Sequence, residues 1–98
     1  MARRIPVTDQ EIDELTRQGA AIAGARPDLL AKLSPAQGRV LELLLAGITE
    51  PQIAARIGRS RHTVHDHTKA IYSTLGVSNR VQLVLLFSVP ARQPVAGV

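Results

Sequence analysis

Apolar residues recur at helical spacing in five stretches of this chain, each set off by glycine or proline. In the first stretch, Thr8-Asp9-Gln10-Glu11 has capping-box spacing, and Ile12, Leu15 and Ile22 form a short stripe behind it. That pattern predicts a helix over 9–23 whose acidic first turn suits a helix N-terminus. Gly19 and Gly24 weigh against it, and Pro27 ends or redirects it. Such a helix is expected to pack on the main domain, the alternative being a second dimer contact. A compact unit then starts at Ser34-Pro35-Ala36-Gln37, which combines an N-cap, a proline at the first helical position and glutamine two residues on. Val40, Leu41, Leu44 and Leu45 share one broad face, Gly47 closes the helix, and Ile48 turns back toward the core. Thr49-Glu50-Pro51-Gln52 repeats the capping logic for a short second helix with Ile53, Ala54 and Ile57 on its buried side, ending at Gly58.

The connection Gly58-Arg59-Ser60 is so short that the chain must change direction sharply, as in a helix-turn-helix unit. Ser60 caps the third helix of the unit, 61–75, and Gly76 supplies the left-handed residue that ends it. Val64, Ile71 and Leu75 form the apolar stripe of that helix. Arg61, His62, His65, Asp66 and Lys69 occupy the other side, as donors and acceptors facing outward. A major groove accepts a helix of this kind. His67 falls at the edge of the stripe, where half-burial and a bond to a backbone carbonyl of a neighbouring helix are expected, the alternative being direct contact with DNA.

A fourth helix follows, capped by Asn79 with Gln82 and stopped by Pro90. Its run Val81, Leu83, Val84, Leu85, Leu86, Phe87 is apolar on more than one side, and a core this small buries only one. The remainder reads as an interface, with Val81, Leu85 and Leu86 as the residues pairing two subunits. The organisation expected is an N-terminal arm and short helix over 1–33, a helix-turn-helix domain over 34–88 and a flexible tail over 89–98.

Composition narrows this further. The chain has 98 residues, 45% hydrophobic with one Tyr and one Phe, so an aliphatic core serves at most one small domain. No cysteine is present, which excludes a disulfide framework, a thiolate metal site and a cysteine nucleophile. Neither a signal peptide nor a membrane span is evident, Val81–Val89 being too short, and a cytoplasmic location is expected. The net charge of +4 is unevenly placed. Residues 1–33 balance, whereas 34–86 carry Arg39, Arg56, Arg59, Arg61, Lys69 and Arg80 against Glu42, Glu50 and Asp66. An excess of that kind steers encounter with a polyanion.

In this order the pieces resemble the LuxR/GerE-type helix-turn-helix domain of bacterial transcriptional regulators. The resemblance is carried by Leu33-Ser34-Pro35, Val40-Leu41, Leu44, Ala46-Gly47-Ile48-Thr49, Ile53-Ala54, Ile57-Gly58, Ser60, Thr63-Val64, His67, Ile71, Leu75-Gly76-Val77 and Asn79-Arg80. It implies an all-α fold of four helices, here with an additional short N-terminal helix. It further implies DNA binding as a dimer, the third helix in the major groove and the fourth between subunits. By position Thr63 faces a phosphate, while His65, Asp66 and Lys69 stand where the family places groove-facing residues. The chain departs from the pattern at Gln37, usually acidic, at His65, often lysine, and at Thr74, commonly lysine or arginine. The last two changes remove fixed positive charge and shift phosphate binding toward Arg59, Arg61 and the Arg3-Arg4 arm.

The expected function is sequence-specific binding of double-stranded DNA by a homodimeric transcriptional regulator. His62, His65, Asp66 and Lys69 face bases; Arg59, Arg61 and Thr63 face phosphates. Asp66 either accepts a hydrogen bond from cytosine or pairs within its own helix with His62 or Lys69. No receiver or ligand-binding domain fits in 1–33, so a signal is expected to come through a separate regulatory protein, through expression level, or through a longer polypeptide. The alternative is a protein-interaction module of the same fold that docks on a regulator or polymerase. Region 4 of a sigma factor shares the helix-turn-helix core, but the Leu75-Gly76-Val77 turn and the capped fourth helix argue against it. No enzyme, cofactor or metal is expected. Ser60 and Ser73 lack a His–Asp arrangement, and only His62 and His65 among the three histidines share a helical face.

Overall fold

A computed structural model describes residues 8–89 of the chain, and the order of its elements is α1 (Asp9–Gly24), α2 (Pro27–Leu30), α3 (Pro35–Leu45), α4 (Glu50–Ile57), α5 (Arg61–Leu75) and α6 (Arg80–Ser88). Among the described residues every regular element is a helix. The expectations placed on Arg3, Arg4, Pro90 and the C-terminal tail beyond Val89 lie outside the described residues.

The helix starts follow from side-chain chemistry. Ser34 and Thr49 each accept a hydrogen bond from the amide three residues on, and the side-chain oxygens of Gln37 and Gln52 in turn accept one from the backbone amide of the cap. Thr8, Ser60 and Asn79 cap α1, α5 and α6 in the same way through the amides of Glu11, Thr63 and Gln82. A cap of this type is worth about 1 kcal/mol. Gly58 and Gly76 end α4 and α5 in the left-handed region, with φ of 68° and 72°, where a β-carbon is strained.

The hub is α3. Val40, Leu41, Leu43, Leu44 and Leu45 are all buried, so the helix is covered on more sides than the single broad face expected of it. It is covered by α1 and α6 on one side and by α5 and α4 on the other. Val64 and Ile71 of α5, Ile53 of α4, Leu83 and Phe87 of α6, and Ile48 complete one core. Full burial of an aliphatic side chain contributes about 1.5–3 kcal/mol. Thr68 also lies inside the α5 stripe, where its hydroxyl is satisfied by donating to the Val64 carbonyl at 3.0 Å.

The N-terminal helix runs one residue further than expected and packs on α3. Of the expected stripe, Ile12 is buried and Leu15 packs against the core, but Ile22 does not join them. Ile22 is exposed, whereas Gly19 and Ala23 are buried beside Ile12. The cause is close approach: a β-carbon at position 19 would lie 2.1 Å from the Glu42 carbonyl oxygen and 3.1 Å from the Ala46 β-carbon. After Pro27 the chain adds the single turn α2, which places Leu29 in the core. Arg26, at the bend, donates to both carboxylate oxygens of Asp28 and to the backbone carbonyls of Leu86 and Val89. That one buried guanidinium ties the N-terminal helices to the end of α6.

Candidate nucleic-acid interface

The fold presents α5 with one side locked and the other open. Val64 and Ile71 are fully enclosed, while Arg61, His62, His65, Asp66 and Lys69 are exposed. At 100° per residue, His62, Asp66 and Lys69 cluster around the direction opposite the Val64–Ile71 stripe, and His65 lies on one flank. Arg59 is exposed in the turn before α5, and Thr63 is partly buried with its amide bonded to the Ser60 hydroxyl oxygen. All seven residues expected to meet DNA therefore stand on or beside one helix.

Three of these side chains are already paired. Asp66 lies 3.4 Å from His62, one turn back on the same exposed face. His65 lies 3.3 Å from Glu50, the first residue of α4. The Glu50 contact was not legible in the sequence, because nothing local marks two residues fifteen positions apart as neighbours. Pairs this exposed are worth little to stability. Their effect is on surface charge, since each carboxylate offsets a group that would otherwise face a phosphate or a base.

His67 is half-buried, as expected, but its ring makes no hydrogen bond to a described residue, so the anticipated bond to a carbonyl is absent. It lines a recess with Arg39 and Arg59 instead. Lys69 is exposed on the outward face, and no ion pair ties it to another described residue. No group of three or more metal-ligating side chains occurs among the described residues, and none of their helices is long and apolar enough to cross a membrane.

The outer side of α6 forms a second surface. Val81 and Leu85 are 68% and 60% exposed, and Val84 stands beside them. With Leu44, Leu45, Gly47 and Arg80 these three line a groove of about 350 Å³. Leu86 faces elsewhere; it is partly buried against the core, close to where Arg26 meets its carbonyl. The Arg80 guanidinium donates to the Ile48 carbonyl, which holds the start of α6 onto the α3–α4 turn.

Residues 31–87 match the family described as bacterial regulatory proteins, luxR family. The chain is 48% identical over 59 residues to a protein of Hyphomicrobium methylovorum described as probable transcriptional regulatory protein SgaR, covering 60% of this chain and 28% of that one. It is 41% identical over 63 residues to the glycerol metabolism activator of Pseudomonas putida, covering 64% of this chain and 28% of the activator. The two-component response regulator PprB of Pseudomonas aeruginosa is 36% identical over 69 residues, 70% of this chain and 25% of the regulator. The chain thus spans roughly a quarter of the length of these relatives. No solved structure matches it.

Proposed function

The chain belongs to the luxR family of bacterial regulatory proteins, and from that premise we propose that it binds double-stranded DNA in a sequence-specific manner and regulates transcription as a homodimer. In this reading α5 enters the major groove, with His62, His65, Asp66 and Lys69 toward base edges and Arg59, Arg61 and Thr63 toward phosphates. The observation that carries it is the division of α5. One side is held immobile by Val64 and Ile71, and the opposite side is a continuous polar surface that no other described element covers.

Two copies meet in this reading through Val81, Val84 and Leu85, with Leu86 supporting them from within. An isologous contact of this kind sets two α5 helices on successive turns of one DNA face. The setting is the bacterial cytoplasm, and any signal arrives through a further protein or further chain. The family is one of regulatory rather than catalytic proteins.

Selection of bound duplexes from a random pool, followed by affinity measurements over a salt series, tests the proposal. The expected result is an enriched, two-fold symmetric site whose logarithmic affinity falls linearly with the logarithm of salt. Absence of any enriched site, with tight capture of a regulator or polymerase subunit, would instead make the chain an interaction module of the same fold. The specific observation on that side is the Glu50 carboxylate beside His65, which lowers positive charge where lysine is common in the family.

A further inference from the structure

The two flanks of α5 differ in charge. His65 and His67 are two residues apart, so their side chains leave the helix about 200° apart, His65 at one edge of the outward face and His67 on the opposite flank, beside the apolar stripe. A helix lying in a major groove has a sugar–phosphate strand at each flank. The flank at His65 holds the Glu50 carboxylate at 3.3 Å. At His67 the flank is a recess of about 90 Å³ between α3, the α4–α5 turn and α5, lined by Ala36, Arg39, Ile57, Arg59 and His67. Three of these five residues are hydrogen-bond donors from three different elements, and no carboxylate lines the recess. The guanidiniums of Arg39 and Arg59 are exposed, and neither they nor the His67 ring has a side-chain partner among the described residues.

We propose that the recess formed by Arg39, Arg59 and His67 seats one backbone phosphate of bound DNA. The inference rests on the reading of α5 as the groove-entering helix, and it adds two residues, Arg39 and His67, to those expected to meet DNA. Each contributes differently. Arg39 and Arg59 supply fixed charge and forked donors suited to phosphate oxygens. His67 supplies a ring N–H, which a neutral imidazole already has, so its part does not depend on protonation. Ala36 and Ile57 make the apolar wall that keeps one side of the phosphate from water. With one strand clamped on the His67 flank and a carboxylate near the other, the seat fixes how far α5 rolls in the groove. It thereby decides which of His62, Asp66 and Lys69 reach base edges.

The test uses the whole chain and the duplex enriched by selection. The double variant Arg39→Gln, Arg59→Gln is expected to make the slope of log affinity against log salt shallower by about 0.9, the contribution of one neutralised phosphate, and each single variant by part of that. Because the seat fixes the roll of α5, discrimination at the base pairs that α5 reads should weaken in the same variants. A neutral methylphosphonate is then placed at each position of the site in turn. At one position it should weaken the wild type and leave the double variant Arg39→Gln, Arg59→Gln unaffected. Both arginines are exposed, and circular dichroism melting checks that the variants remain folded. Unchanged slopes with intact specific binding would overturn the seat and leave the interface standing. An equal methylphosphonate penalty in wild type and double variant at every position would reduce the arginines to diffuse charge and overturn it as well. Failure of the wild type to enrich or bind any duplex would overturn the seat and the groove reading together.

Discussion

At the residue scale, two glycines in one helix have opposite uses. Gly19 faces α3, and an added β-carbon meets the Glu42 carbonyl oxygen at 2.1 Å. Gly24 has nothing within 4 Å. Gly19→Ala is therefore expected to push α1 off α3 and to destabilise by about 1–3 kcal/mol, the range for overpacking a close contact. Gly24→Ala should be neutral or stabilising by up to about 1 kcal/mol, because it only reduces the freedom of the unfolded chain. Denaturant midpoints of the two variants check this pair. Hydrophobicity alone reads the same helix incorrectly at Ile22, since the face that approaches closest is built from the smallest residues. At the interface, Asp66 is the residue with two readings. Its contact with His62 favours the local one, in which the carboxylate repels phosphates and reads nothing. Asp66→Ala should then raise affinity by a similar factor for every duplex; relaxation at a single base pair would assign it to cytosine instead.

At the element scale, the helix boundaries were legible because capping is local chemistry. A hydroxyl or amide side chain three residues before its partner writes the start of α3, α4, α5 and α6 directly into the sequence, and the polar face of α5 follows from spacing along the same helix. What could not be read are contacts that close over long separations. The bond from Arg26 to the Leu86 and Val89 carbonyls belongs to that class, as do the Glu50–His65 pair and the recess that joins Arg39 to His67. The Arg26 tie has a pH signature. Hydrogen bonds from the guanidinium hold the Asp28 carboxyl below its ordinary value, against a smaller opposing effect of desolvation. Because the folded value is depressed, the stabilisation is fully present above the unfolded value near ~3.9 and is lost as pH falls through the folded value. Asp28→Asn should therefore melt below the wild type at neutral pH, and the two melting temperatures should converge as the pH is taken below about 4. Asp28 is half exposed, so the gap is expected to be small and to shrink with added salt. A constant gap across the acid range would assign the effect to packing.

At the scale of the whole molecule, the central position of α3 separates the two surfaces. The chief contacts of α5 are with α3 and α4, and those of α6 are with α3 and α1. A partner on α6 therefore need not cover the polar side of α5. Among the described residues, three of the five exposed large hydrophobics, Val81, Val84 and Leu85, lie on the outer side of α6 and face water beside a groove of about 350 Å³. Burial of those side chains against a second copy is favourable at roughly 25 cal/mol per Å² of apolar surface, before the losses of freedom on association are subtracted. Leu85→Glu and Val81→Glu each place a charge in that contact without touching the core. On the proposed pairing through α6, the wild type is expected to sediment as a dimer and both variants as monomers at the same concentration, with unchanged melting cooperativity. The DNA consequence follows from linkage, because a dimer engages two half-sites in one event. The glutamate variants should lose affinity for a two-half-site duplex by a large factor and keep the wild type's weaker affinity for an isolated half-site. An unchanged oligomer in both variants would move self-association away from α6. Reduced affinity for the single half-site would instead mean that the substitutions had disturbed α5 through α3.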